Sequence, residues 1–163
     1  MVALLYWGGL RVSELLALCP PDVDPAAGTI RVLHGKGDRS RTVAMDATGF
    51  VFLDAWMRER ARELRAAPAA AAAPPIFCTR AGRGLHASYA RTLLHRLGRR
   101  AGIAKRVHPN GLRISLAVEL AQEGRDLAAI QQFLGYARLD STARYLHHKF
   151  PGGDRGVCHL GRP

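Results

Sequence analysis

Two near-identical segments are the most informative part of this sequence: Gly9-Leu10-Arg11-Val12-Ser13-Glu14-Leu15 and Gly111-Leu112-Arg113-Ile114-Ser115-Leu116. Each places an arginine directly after Gly-Leu, in a segment apolar enough to be buried. A buried arginine needs an anionic partner, because an unpaired buried charge is costly. The forked donors of a guanidinium fit the two non-bridging oxygens of a phosphodiester. The alternative is that both arginines are ordinary solvated surface charges.

Two further motifs complete the series along the chain. A lysine stands in the turn Gly35-Lys36-Gly37, and Leu134-Gly135-Tyr136 is followed by Ser141-Thr142-Ala143-Arg144-Tyr145. Exposed lysines are common in turns, and a tyrosine at the end of a helix is often a half-buried aromatic. Taken in order, however, the motifs supply two charges for a phosphodiester, a proton donor and a nucleophile. Lysine suits the donor role because, unlike arginine, it can lose a proton near neutral pH.

Over residues 2–149 these motifs resemble the catalytic domain of tyrosine recombinases of the phage integrase family. The resemblance implies that Arg11 and Arg113 bind the scissile phosphate, and that Glu14 holds Arg11 in position without contacting the phosphate. It further implies that Lys36 is the general acid for the departing 5′-oxygen, and that Tyr145 attacks phosphorus to leave a 3′-phosphotyrosyl link. Because that covalent step conserves the energy of the broken bond, neither a cofactor nor a metal is expected.

The second phrase departs from the family's pattern, His-x-Leu-Arg-His. Asn110 stands where the first histidine is usual, and Ile114 replaces the second. An amide can hydrogen-bond a phosphate oxygen but cannot transfer a proton at neutral pH. Tyr136 follows Leu-Gly where the family often has histidine or tryptophan, and His108 is a second candidate for proton transfer. Loss of one acid–base group typically costs about 10²–10⁴-fold in rate, so binding and cleavage are predicted separately.

The charge of the chain points to a polyanionic partner. Twenty-four Lys and Arg residues against 13 Asp and Glu give a formal net charge of +11. Such a basic balance is typical of phosphate binding, although general solubility is the alternative explanation, and the preference for arginine over lysine is also what a GC-rich genome would produce. A dense basic run precedes the second phrase, and part of it is the solvated face of a helix. We expect contacts to the DNA backbone from Arg39, Arg41, Arg91, Arg96, Arg99, Arg100, Lys105 and Arg106.

Hydrophobic spacing predicts a mainly helical chain. Helices are expected over residues 2–7, 12–18, 47–67, 88–101 (with Ser88 as the cap), 112–122, 127–134 and 141–148. Two β-branched runs, 29–33 and 41–45, flank the lysine turn and predict a hairpin, and residues 68–75 form an Ala/Pro linker. The expected class is α+β, mainly α, with a small antiparallel β-sheet or hairpin near the N-terminal third. The resemblance adds the tyrosine-recombinase catalytic domain fold.

The length allows one well-buried domain. We expect residues 1–149 to be the catalytic domain, lacking the N-terminal core-binding domain of full family members, and residues 150–163 to be a disordered tail.

Three cysteines, Cys19, Cys78 and Cys158, are odd in number and widely spaced, which argues against a disulfide framework and a zinc site. No signal peptide or membrane span is expected, and the predicted location is the cytoplasm, at the nucleoid.

The sequence is compatible with three functions. The first is site-specific DNA recombination or integration by strand cleavage and rejoining, in attenuated form. The second is a catalytically dead, truncated DNA-binding remnant of an integrase. The third is an unrelated helical DNA-binding regulator, which would require four spaced motifs to coincide by chance. The expected partner is double-stranded DNA, and the family resemblance implies a tetramer on two DNA sites.

Overall fold

The computed structural model describes residues 1–33, 40–65 and 74–135. Within these ranges it contains six α-helices, one 3-10 helix and three strands. The α-helices are α1 Val2–Tyr6, α2 Val12–Ala17, α3 Ala47–Arg65, α4 Ala87–Arg100, α5 Pro109–Gln122 and α6 Leu127–Leu134; the 3-10 helix is Pro20–Asp22; the strands are β1 Val23–Asp24, β2 Thr29–Val32 and β3 Arg41–Ala44. The predicted helix over 141–148, most of the Ala/Pro linker and the tail lie outside the described residues.

Helix ends follow local chemistry. Helix α6 begins where the Asp126 carboxylate accepts hydrogen bonds from the N–H groups of Ala128 and Ala129, at 3.0 and 3.2 Å. It ends at Gly135, whose φ of 63° lies in the left-handed region that favours glycine. The predicted bounds of this helix are therefore confirmed.

Two predicted helix starts are wrong. Helix α4 begins at Ala87 with extended His86 as its N-cap, so Ser88 lies inside the helix, with its Oγ 3.0 Å from His86 Nδ1. Helix α5 begins at Pro109 rather than at residue 112, because a proline at the first helical position already has a helical φ and needs no donor.

The three strands form one antiparallel sheet in the order β1-β2-β3. Strands β2 and β3 are the predicted hairpin, with Thr29 opposite Ala44 and Val32 opposite Arg41. Strand β1 has two residues and was not predicted, since so short a segment carries no readable alternation. The register places Arg41 at the end of the hairpin next to residues 34–39.

The main core joins the first two helices, the hairpin and α3. Its members with no exposed surface are Leu4, Leu5, Leu10, Leu15, Ile30, Val43 and Ile76. A second cluster, Leu116, Ala117, Ile130 and Leu134, lies between α5 and α6, and Phe133 packs against both clusters. Among the described residues, no helix has the length and apolar character that a bilayer crossing requires.

Gly9, between α1 and α2, packs so closely against α6 that the position has no room for a side chain. Its φ is 56°, and an added Cβ would stand 2.5 Å from Leu134 Cδ2 and 3.0 Å from Leu116 Cδ2. We predict that Gly9→Ala lowers the free energy of unfolding by about 1–2 kcal/mol for the left-handed backbone and a further ~1–3 kcal/mol for overpacking. Urea titration followed by circular dichroism measures the loss.

Gly28→Ala is the matched control for this prediction. Its φ is 64°, but nothing lies within 4 Å of the added Cβ, so only the backbone contribution is expected. If the free energy of unfolding falls equally in the two variants, the close approach of Gly9 to Leu134 does not contribute to the destabilisation.

Candidate active site

Arg11 is held at the start of α2 by three hydrogen bonds. Its backbone N–H donates to Glu14 Oε2 at 2.8 Å, and its Nη1 donates to Glu14 Oε1 at 2.7 Å. Its Nη2 donates to the backbone carbonyl of Gly135 at 2.6 Å. The side chain stays 24% exposed. Since a guanidinium has five N–H donors, this arginine is both fixed and accessible to a ligand.

Arg113 lies in the second turn of α5 and is buried more deeply than Arg11. It is 2% exposed, and it is the largest fully buried side chain among the described residues. Its Nη1 donates to the carbonyl of Gly9, and its Nη2 donates to the carbonyl of Leu134. Buried polar groups need such partners, because desolvation without hydrogen bonds is unfavourable.

The two arginines converge on one short piece of backbone. Leu134 and Gly135, whose carbonyls receive Arg113 and Arg11, are consecutive residues at the C-terminal end of α6. Carbonyls at a helix C-terminus carry partial negative charge and lack intrahelical donors, so they suit cationic partners. The structure thus brings the arginines of the two Gly-Leu-Arg phrases together, and their role at a phosphate stays a prediction.

Glu14 links Arg11 to a second arginine, Arg41 of β3. Arg41 Nη1 donates to Oε1 and Nη2 to Oε2, both at 2.8 Å, in a bidentate pair. Burial would raise the pKa of the Glu14 carboxyl group, but the hydrogen bonds and charge of Arg41, with the bonds from Arg11, lower it to about 2. Glu14 is therefore a permanent anion at neutral pH.

The formal charge of this cluster leaves room for an anion. Arg11, Arg41 and Arg113 contribute three positive charges, and Glu14 contributes one negative charge, so the balance is two positive charges. A phosphodiester carries one negative charge, and its pentavalent transition state carries two. The cluster thus has the sign and size of charge that stabilises phosphoryl transfer.

Asn110 and His108 stand at the N-terminus of α5, ahead of Arg113. Asn110 is exposed. The Nδ1 atom of His108 accepts a hydrogen bond from the backbone N–H of Gly111 at 3.0 Å, so His108 caps the helix. An Nδ1 atom that accepts a hydrogen bond carries no proton, which leaves only Nε2 for the proton-transfer role that the sequence suggested. The capping role was missed, although a polar residue before Pro109 signals a helix start.

The basic residues of α4 occupy one side of the helix. At about 100° per residue, its four arginines fall within an arc of roughly 180°, and the buried residues Ala90, Leu94 and Gly98 lie outside that arc. Helix α4 packs against both α2 and α5, the helices that carry Arg11 and Arg113. None of the ion pairs among the described residues involves the exposed basic residues Arg91, Arg96, Arg99, Arg100, Lys105 and Arg106.

Four predicted site residues lie outside the described ranges. They are Lys36, Arg39, Tyr136 and Tyr145. Their roles stay predictions, as does the DNA-backbone contact assigned to Arg41, whose guanidinium is bound to Glu14 in the structure. The alternation of β3 could have indicated this burial, since Arg41 shares a strand face with the buried residue Val43.

A large cavity elsewhere on the described surface is apolar. A cavity of about 980 Å³ is lined mainly by apolar side chains, including Trp7, Phe52, Trp56 and Leu93, and it shares no residue with the arginine cluster. Within residues 1–33, 40–65 and 74–135, no group of three or more His, Cys, Asp or Glu side chains is placed to hold a metal ion.

Proteins of a known family match most of the sequence of this chain. The sequence model of the phage integrase family matches residues 1–151. Tyrosine recombinase XerC of Mycobacterium sp. (strain KMS) is 38% identical over 148 residues, which are 90% of this chain and 48% of that protein. XerC of Azotobacter vinelandii (strain DJ / ATCC BAA-1303) is 37% identical over 150 residues, 92% of this chain and 48% of that protein. The chain therefore spans about half the length of the curated relatives it matches.

Solved structures give the same answer for the fold. The crystal structure of XerA recombinase superposes with a TM-score of 0.79 at 31% identity, covering 89% of this chain and 51% of that one. XerH site-specific recombinase bound to its difH substrate gives a TM-score of 0.75 at 28% identity, covering 91% of this chain and 42% of that one. The predicted class, mainly helical with a small antiparallel sheet, is confirmed, and the chain belongs to the phage integrase family of tyrosine recombinases.

Proposed function

We propose that this chain cleaves and rejoins DNA strands in site-specific recombination, through a 3′-phosphotyrosyl intermediate. The observation that carries the proposal is the convergence of Arg11 and Arg113 on the adjacent carbonyls of Leu134 and Gly135. Two guanidinium groups held on adjacent carbonyls give the site positive charge whose orientation is set before substrate arrives, and oriented charge of this kind stabilises a developing anion.

In the proposed reaction the Tyr145 oxygen bonds to the scissile phosphorus after losing its phenolic proton to solvent. The bond from phosphorus to the 5′-oxygen breaks, and that oxygen takes a proton from Lys36 to become a free 5′-hydroxyl. Rejoining reverses these steps with the 5′-hydroxyl of another strand. Arg11 and Arg113 stabilise the additional negative charge of the pentavalent transition state, and Glu14 keeps Arg11 in place. The phosphotyrosyl bond retains the energy of the broken linkage, so no cofactor is required.

The proposed enzyme is attenuated. Asn110 and Tyr136 can each hydrogen-bond a phosphate oxygen, but at neutral pH neither replaces a histidine in proton transfer. The residues that bind the phosphate are separate from those that move protons, so DNA binding is expected even where turnover is slow.

Double-stranded DNA is the proposed substrate. The proposed location of the protein is the cytoplasm, at the nucleoid. The exposed arginines of α4 fit contacts to the phosphate backbone, which position a protein on DNA without reading its sequence. The XerH structure contains that protein's own difH substrate. Assembly as a tetramer on two DNA sites is proposed from the family alone.

We predict a denaturation-resistant protein–DNA adduct. The purified protein is incubated with a pool of nicked duplexes whose sequence around the nick is randomised, so that release of the short strand traps the intermediate. Tyr145→Phe should abolish the adduct because the nucleophilic oxygen is removed, and denaturing gel electrophoresis measures its yield.

Tyr89→Phe is the control, because Tyr89 is an exposed tyrosine of α4 that the mechanism does not use. It should retain the wild-type yield. If no adduct forms in the wild-type protein while duplex binding persists, the chain is instead the catalytically inactive DNA-binding remnant.

Restoring a proton carrier should raise the rate of adduct formation. We predict that Asn110→His increases the single-turnover rate constant by about 10²-fold or more, because one acid–base group typically contributes about 10²–10⁴-fold. Asn110→Ala, which removes the amide and adds no proton carrier, should not increase it. A rate unchanged by histidine, with DNA binding intact, would contradict our account of the attenuation.

A further inference from the structure

Arg41 is bound to a protein carboxylate along the whole edge of its guanidinium. Both Nη atoms donate to Glu14 at 2.8 Å, and the side chain is only 14% exposed. Its Nε atom is buried and has no hydrogen-bond partner within the described part of the chain. The position of this side chain is therefore set by Glu14, and not by solvent or by a surface ligand.

Glu14 has no acceptor capacity left for another group. A carboxylate offers about four acceptor sites. Oε1 receives Nη1 of Arg11 and Nη1 of Arg41, while Oε2 receives the backbone N–H of Arg11 and Nη2 of Arg41. Removing Arg41 vacates two of these sites on a buried carboxylate. Burial then favours the protonated form of Glu14, which would hold the Arg11 guanidinium less firmly.

We propose that Arg41 is a positioning residue, which fixes the Arg11 guanidinium through Glu14 and makes no contact of its own with DNA. The proposal rests on the proposed function, in which Arg11 binds the scissile phosphate. It replaces the DNA-backbone role that the sequence suggested for Arg41. To reach a phosphate, Arg41 would have to leave Glu14 buried with half of its hydrogen bonds, which is unfavourable.

The first test is a double-mutant cycle on DNA binding. Duplex affinity is measured over a range of salt concentrations for wild type, Arg11→Gln, Arg41→Gln and the double variant. Each lost phosphate contact lowers the log–log slope by about 0.9. We expect Arg11→Gln and Arg41→Gln each to lower it by about 0.9, and the double variant to match Arg11→Gln, because Arg41 acts only through Arg11.

Arg96→Gln is the matched control, since Arg96 is an exposed arginine of α4. It should lower the slope by about 0.9 in both the wild-type and the Arg11→Gln backgrounds. The proposal is overturned if Arg41→Gln behaves like Arg96→Gln in both backgrounds. It is equally overturned if Arg41→Gln changes the slope in neither.

Arg41→Lys keeps the test decisive if Arg41→Gln does not fold. Lysine retains the positive charge and can still contact a phosphate, but it cannot hold two carboxylate oxygens in parallel. We expect Arg41→Lys to lower the slope as Arg41→Gln does. A wild-type slope in Arg41→Lys would favour a direct DNA contact and contradict the proposal.

A readout without DNA separates this inference from the proposed function. In the free protein, the Arg11 guanidinium N–H groups bonded to Glu14 and Gly135 should exchange slowly with water by NMR. Arg41→Lys should speed that exchange at least several-fold, whereas Arg96→Gln should not. Unchanged exchange would refute the positioning role, even if the wild-type protein forms no adduct or binds no duplex.

Discussion

The buried guanidinium of Arg113 is the constraint on which the rest of the site depends. It bonds the carbonyl of Gly9 before α2 and the carbonyl of Leu134 at the end of α6, so three separate parts of the chain meet around one charge. Leaving a buried polar group without its hydrogen bonds typically costs about 1–3 kcal/mol, and more for a charged group. The same hydrogen bonds therefore hold these three segments together and fix the guanidinium at the site.

Charge balance explains how so many arginines share a small volume. Glu14 accepts four hydrogen bonds from Arg11 and Arg41, which offsets one of their two charges and fixes both side chains. The hydrogen bond from Arg11 to the carbonyl of Gly135 places the negative end of a backbone dipole, at the C-terminal end of α6, next to the positive guanidinium. The remaining positive charge is oriented before any ligand arrives. Preorganised charge of this kind is more effective in stabilising a transition state than charge on mobile surface side chains.

Spacing along the chain predicted those parts whose cause is local. The helix over 127–134 followed from apolar spacing, and the hairpin followed from two β-branched runs on either side of a glycine-containing turn. The two repeated phrases singled out Arg11 and Arg113, which the structure brings to adjacent carbonyls. Partners distant in sequence were harder to predict. Arg41 looked like one more basic residue, because a sequence shows that a side chain is charged but not which carboxylate it faces. Ser88 failed as a cap because the chain turns into α4 two residues earlier, at His86.

In the proposed reaction, phosphate binding and proton transfer depend on residues that the packing holds separately. Arg113 is oriented by Gly9 and Leu134, and Arg11 by Glu14 and Gly135. None of these bonds involves Asn110, which is exposed at the start of α5. A residue there can therefore change without disturbing the hydrogen bonds that hold the arginines. For the proposed reaction, loss of a histidine at this position lowers the rate and leaves the phosphate site in place, because the two tasks depend on different contacts.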